Sequence, residues 1–200
     1  MSLVFDREGN RKYLTLSERS AFLGAAETMP ADVGTFCELL AYSGARISEA
    51  LNLPPRRVDL SAGFVVIETL KKRRRGQFRA IPLPQRVLAD LNRVHRLENA
   101  RNCADFGSAR LWPWSRTTGW TRVKEAMAMA GIHGPQATPK GLRHGFAVAA
   151  LQSGVPINLV RRWLGHARLS TTEIYTEAIG DEERALAAKF WATFDGPAAR

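Results

Sequence analysis

The stretch LRHGFAVAALQSGVPINLVRRWLGHARLSTTEIYTEA, Leu142–Ala178, decides how the chain is read. Just upstream, Thr138 is a candidate N-cap with Pro139 in the first helical position, and Gly154 closes the helix predicted over TPKGLRHGFAVAALQSG. A second, shorter helix, VPINLVRRWLGH, ends with a glycine directly before His166, which sets the imidazole at a chain reversal. STTEIYTEA, with Tyr175, reads as a third helix. Lys140 and Arg143 are one helical turn apart and project from one face, with His144 displaced by about a third of a turn. Taken singly, these residues read as a basic exposed face, a helix-stop histidine and a half-buried tyrosine.

Upstream the pattern stays helical with one interruption. TLSERSAFLGAAETMP opens with Thr15 three residues before Glu18, the spacing of a capping box, and Pro30 stops it. ADVGTFCELLAYSG carries Val33, Phe36, Cys37 and Leu40 at helical period and ends at Gly44. The short element ARISEALNL is broken by Pro54 and Pro55. In GFVVIETLKKRRRGQFRAIPLP two β-prone runs flank a basic turn containing Gly76, which reads as a hairpin and the only clear β element. From Gln85 a helix places Val87, Leu88, Leu91 and Val94 on one face. Asn99 to Trp120 is loop-rich, with RLWPW suited to a short extended piece, and GWTRVKEAMAMAGI is helical up to Gly134 and Pro135. DEERALAAKFWATF is a last amphipathic helix. The fold class expected is mainly α with a small antiparallel β-hairpin or sheet.

A chain of 200 residues with 45% hydrophobic content suits one compact core. No apolar run approaches the length of a membrane span, and MSLVFDREGNRKYL is charged where a signal peptide needs an apolar centre. A cytoplasmic, nucleoid-associated protein without membrane contact is expected. Cys37 and Cys103 lack the Cys/His spacing of a zinc site and read as free thiols, so neither a metal nor a cofactor is called for. The net charge of +10 argues for a polyanionic partner, and nucleic acid comes before an anionic membrane because no basic amphipathic helix is visible. Solubility alone is the plainer account of the same charge.

Order along the chain gives these groups a joint use. Arg46 begins a short helix after Gly44, where backbone amides and a guanidinium can face one anion. The run Lys71, Lys72, Arg73, Arg74, Arg75 occupies the hairpin turn; such a run usually adds phosphate affinity, yet a lysine at a scissile phosphate can protonate a leaving alkoxide. Arginine, hairpin lysine, Lys-x-x-Arg, Gly-His and tyrosine then form a set for phosphoryl transfer. Two guanidiniums stabilise a pentacoordinate phosphorane, the lysine protonates the leaving 5′ oxygen, and the tyrosine oxygen attacks phosphorus, with no metal required.

In these boxes the chain resembles the tyrosine recombinases, or phage-integrase family, from about Thr15 to Thr176. LRHGFAVAALQSGVPINLVRRWLGHARLSTTEIYTEA is similar to the family's Leu-Arg-His, Leu-Gly-His and terminal tyrosine boxes. SGARISEALNL is similar to its first arginine box, and the hairpin to the one that carries its lysine. The resemblance implies that Tyr175 is the nucleophile of a site-specific DNA recombinase, forming a 3′-phosphotyrosyl link and releasing a 5′ hydroxyl. It implies that Arg46 and Arg143 grip the scissile phosphate, that His166 hydrogen-bonds to it, and that Lys71 is the general acid, with Lys72 its rival. Glu49 matches a carboxylate that supports the site and positions Arg46. Arg116, Arg122 and the 71–75 run are expected phosphate contacts.

Two departures shape the expectation. Lys140 stands where the family usually has histidine; an ammonium group is a donor and a poor base at neutral pH, so Lys140 is expected to bind phosphate, and the acceptor of the Tyr175 proton stays open. Only a short tail, 1–14, precedes the expected catalytic domain of 15–178, so the chain is similar to compact invertases that work without a clamping domain. In the segment 179–200, Leu186, Phe190 and Phe194 fall at i, i+4 and i+8 beside Ala187 and Trp191, a stripe suited to its own domain or to a neighbouring protomer. The partners expected are double-stranded DNA, further copies making a tetramer on paired sites, and accessory DNA-binding proteins. A DNA-binding accessory factor with weak chemistry and a topoisomerase-like relaxing enzyme are the rival readings.

Overall fold

The computed structural model describes residues 4–70, 76–100 and 109–166. The segments STTEIYTEA and DEERALAAKFWATF, the 71–75 run and Cys103 lie outside them. Helix α1 (Leu16–Glu27) starts at a capping box: Thr15 Oγ1 accepts from the Glu18 N–H at 3.2 Å, and Glu18 accepts from the Thr15 N–H at 2.8 Å. Helix α2 (Ala31–Ser43) follows Pro30 and ends in left-handed Gly44, and α3 (Ile47–Leu51) begins almost at once. Strands β1 (Val58–Asp59), β2 (Phe64–Glu68) and β3 (Phe78–Pro82) form an antiparallel sheet in that order, with Val65 opposite Ile81 and Ile67 opposite Arg79. Helices α4 (Gln85–His95), α5 (Leu97–Ala100), α6 (Arg116–Met129), α7 (Pro139–Gln152) and α8 (Ile157–Leu164) complete the described order.

Helix α2 is the axis of the packing, touching α1, α4 and α7, while α6 lies across α1 and α3. Phe22, Phe36, Leu40, Trp112 and Met127 are fully or almost fully buried around it. Burying each such side chain contributes about 1.5–3 kcal/mol. A second cluster of Val4, Tyr13, Phe146, Val160 and Leu164 joins α7 and α8 to the N-terminal segment, and Trp163 packs against both clusters. Within the segment expected as a tail, Phe5 and Arg11 form a β-bridge and the Leu14 N–H donates to the Gly141 carbonyl at 3.3 Å. Among the described residues no helix is long and apolar enough to cross a membrane.

Three local expectations are corrected. The hairpin is part of a three-stranded sheet, because Val58–Asp59 pairs with Val65 and Phe64; two residues are too few to show alternation in sequence. Helix α6 begins at Arg116, inside the region expected as loop: Ser115 Oγ accepts from the Thr118 N–H at 3.0 Å, and Gly119 stands in the helix because a Cβ there would come within 3.2 Å of Leu51. RLWPW is not a strand. The Leu111 N–H donates to Leu53 O at 3.0 Å, and the buried Trp112 indole donates to Asp32 O at 2.7 Å with its ring edge-on to His95. One cap also shifts by a residue, since Ser153 is the C-cap of α7 and Gly154 follows with φ +77°.

Candidate functional site

Helix α7 places the first guanidinium. Thr138 Oγ1 accepts from the Gly141 N–H at 3.0 Å and Pro139 fixes the first turn, so Arg143 points inward, 6% exposed. Its Nη1 donates to Gly44 O at 2.6 Å and its Nη2 to Leu164 O at 2.7 Å. Gly44 allows this approach: its φ is +59°, and a Cβ there would run into the Phe146 ring one turn beyond Arg143. Nη2 also lies 3.1 Å from His166 Nε2. Since a guanidinium only donates, Nε2 is the acceptor and the imidazole carries its proton on Nδ1.

Arg46 is the N-cap residue of α3 and is organised by Glu49. The Arg46 N–H donates to Glu49 Oε2 at 3.0 Å and its Nη1 to Oε1 at 2.8 Å. Glu49 is 3% exposed. Burial pushes its carboxyl up, but the Arg79 and Arg46 guanidiniums more than offset this and hold it below the usual carboxylate range. Arg46, Arg116, Lys140, Arg143 and His166 then line one cavity of about 780 Å³, with Lys12 and the half-exposed Trp120 on its wall. Among the described residues no carboxylate lines it. A cavity with cations from three helices and, among the described residues, no acid suits a phosphate group. His144 also lines it, and burial, then Lys140, Arg143 and Lys12, lower its pKa to about 4, so it is neutral there.

The end of α8 is fully accounted for. A helix leaves its last four carbonyls without partners from the helix itself. Here the Gly165 N–H donates to Arg162 O and the His166 N–H to Arg161 O, each at 3.1 Å. Arg79 Nε donates to Trp163 O at 2.6 Å, and Arg143 takes Leu164 O. Two buried cations thus close the negative end of the helix dipole on either side of His166.

Sequence reading brought Arg46, Arg143, His166, Lys140 and Arg116 forward, and the structure brings them into one cavity. Glu49 is in contact with Arg46, as just described. Arg122 does not line the cavity and pairs with Glu125 at 2.9 Å. Tyr175, Lys71, Lys72, Arg73, Arg74 and Arg75 lie outside the described residues. Sequence reading missed Lys12, which no motif marks, and Arg79. For Arg79 there was a signal: strand alternation puts it on the same face as the buried Ile81.

Comparison with known proteins adds four findings. Residues 12–180 match the model of the phage integrase family. The chain is similar to "Tyrosine recombinase XerA" of Pyrococcus furiosus, 36% identical over 141 residues, which are 69% of this chain and 47% of that protein. It spans about half the length of that relative. Among solved structures it is similar to the catalytic domain of bacteriophage HP1 integrase, with a TM-score of 0.63 at 22% identity, covering 94% of this chain and 98% of that one. It is also similar to XerH site-specific recombinase bound to its difH substrate before cleavage, with a TM-score of 0.70 at 20% identity, covering 94% of this chain and 59% of that one. At these identities the structural likeness speaks for the fold.

Proposed function

The chain belongs to the phage integrase family, and from that membership we propose that it is a tyrosine-type site-specific DNA recombinase whose cavity holds the scissile phosphate. The observation that carries the reading is the convergence of Arg46 and Arg143 with His166 on one cavity whose charged lining, among the described residues, is all cationic. Arg46, held by Glu49, and Arg143, held by two carbonyls, face the nonbridging oxygens without needing to reorganise. The His166 Nδ1–H adds a neutral donor. Lys140 and Arg116 extend the positive surface toward the flanking phosphates.

In this reading the Tyr175 oxygen bonds to phosphorus and its proton passes to an acceptor, while the bond from phosphorus to the 5′ oxygen breaks. The 5′ oxygen leaves with a proton from Lys71 or Lys72, and a 3′-phosphotyrosyl link keeps the energy of the broken bond for rejoining. These roles rest on the order of motifs in the sequence. The same reading includes double-stranded DNA as partner, a tetramer on paired sites assisted by accessory proteins, and a cytoplasmic, nucleoid-associated location. The apolar stripe of Leu186, Phe190 and Phe194 supports self-association.

The test is capture of the covalent intermediate. Purified protein is incubated with nicked fragments of host DNA and denatured, and the DNA still attached is sequenced. The wild type is expected to yield covalent complexes with free 5′ hydroxyl ends, and Tyr175→Phe to bind DNA but yield none. DNA binding by a folded wild type without covalent capture would leave the accessory-factor reading in its place.

A further inference from the structure

Arg79 has no part in the reaction as set out above, yet it is among the most enclosed charges described, its side chain 4% exposed. Its Nη2 donates to Glu49 Oε2 at 2.6 Å, its Nη1 to Thr69 Oγ1 at 3.0 Å and its Nε to Trp163 O at 2.6 Å. One planar group therefore ties α3, the end of β2 and the end of α8. Each tied point lies next to a group of the proposed reaction. Glu49 holds Arg46, Thr69 comes two residues before Lys71, and Trp163 comes three before His166. Gly165 completes the seat, because a Cβ there would stand 3.1 Å from Arg79 Nη1 and 3.2 Å from Thr69 Oγ1.

Stability alone does not explain such a group. Removing a guanidinium from water is costly, and a well-packed apolar side chain at a buried ion pair is often as stabilising or more so. An apolar side chain lacks a rigid fork of donors that fixes three acceptors at set distances. Small displacements of positioned groups lower rates far more than they lower binding.

We propose that Arg79 is a positioning residue of the phosphate site, setting Arg46 through Glu49 and His166 through the last turn of α8. This rests on the reading of the cavity as the scissile-phosphate site. The charged groups facing Glu49 are Arg46 from its own helix and Arg79 from β3. Without Arg79, the carboxyl keeps one cation, takes up a proton at higher pH and releases Arg46.

The experiment compares wild type, Arg79→Met and Arg79→Lys on a duplex recovered by covalent capture, measuring single-turnover cleavage against pH and DNA affinity separately. In Arg79→Met the rate is expected to fall about 100-fold, with affinity changed by less than about threefold, and the acid limb of the rate profile to move to higher pH. Arg79→Lys restores a cation without the fork, so its acid limb should return toward the wild type while its rate recovers only in part. A wild-type rate in Arg79→Met overturns the proposal. So does equal loss of rate and affinity with an unmoved acid limb, which marks a purely structural role. If Arg79→Met does not fold, Arg79→Lys gives the decisive reading: a rate at the wild-type level overturns the proposal. A second readout needs no DNA: in protein labelled with 15N-arginine, hydrogen exchange at Arg46 Nη1–H, which donates to Glu49, should quicken about tenfold in Arg79→Met. A protein that captures no DNA but shows this change loses the recombinase reading and keeps the positioning role; unchanged exchange overturns the positioning role whatever the DNA result.

Discussion

His144 shows how strongly a neighbouring function can act on one side chain. It is 4% exposed and shares its surroundings with Lys140, Arg143 and Lys12, so its pKa falls from an ordinary 6.5 to about 4. The unfolded chain therefore binds a proton between these two values and the folded chain does not. The contribution of His144 to stability is complete above about pH 6.5 and is lost as pH falls toward 4, by about 3 kcal/mol over the interval. Urea denaturation at a series of pH values should show that decline, and His144→Phe should flatten it between about pH 6.5 and 5. An equal slope in the variant would assign the decline to other groups. Cys37 is a contrasting case. Burial pushes its thiol up to about 12, so it packs as a small apolar side chain rather than serving as a nucleophile.

Among the elements, the turn from α2 to α3 carries the most consequence for its length. Gly44 ends one helix, accepts from Arg143 and gives room to Phe146, all two residues before Arg46. Gly44→Ala adds left-handed backbone strain and an overlap with an aromatic ring. It should lower stability by about 2–4 kcal/mol, read as a lower urea midpoint with an unchanged slope. A loss below about 0.5 kcal/mol would mean that Phe146 moves aside freely. The residues that announce such elements are local: Thr15 with Glu18, Pro30, Gly44 and Thr138 with Pro139 act within a few positions, so the sequence displays them. The onset of α6 was not legible, because Thr117, Thr118 and Gly119 are weak helix formers and the reason for Gly119 is Leu51, far away in sequence. Arg79 was half legible. Its parity with Ile81 is local, but Glu49 and Trp163, which make an inward arginine tolerable, become neighbours only in the folded chain.

At the scale of the whole molecule, an excess of ten positive charges is shaped rather than spread evenly. Glu49 and Glu18 are paired with arginines, while Arg46, Arg116, Lys140 and Arg143 share a cavity that no acid lines among the described residues. Binding to duplex DNA should therefore weaken steeply with salt, the logarithm of affinity falling with a slope steeper than about −3. Arg116→Ala should make that slope shallower by about one, whereas Arg122→Ala, already paired with Glu125, should change it less. Equal effects would mean that DNA passes over both positions alike. Two carbonyl partners of Arg143 also imply an order of assembly. Gly44 precedes it by 99 positions and Leu164 follows it by 21. On the ribosome, a chain that has emerged only as far as the end of α7 holds that arginine next to one carbonyl and lacks the other. The anion site is thus completed only when α8 arrives, and a nascent chain lacks it before then.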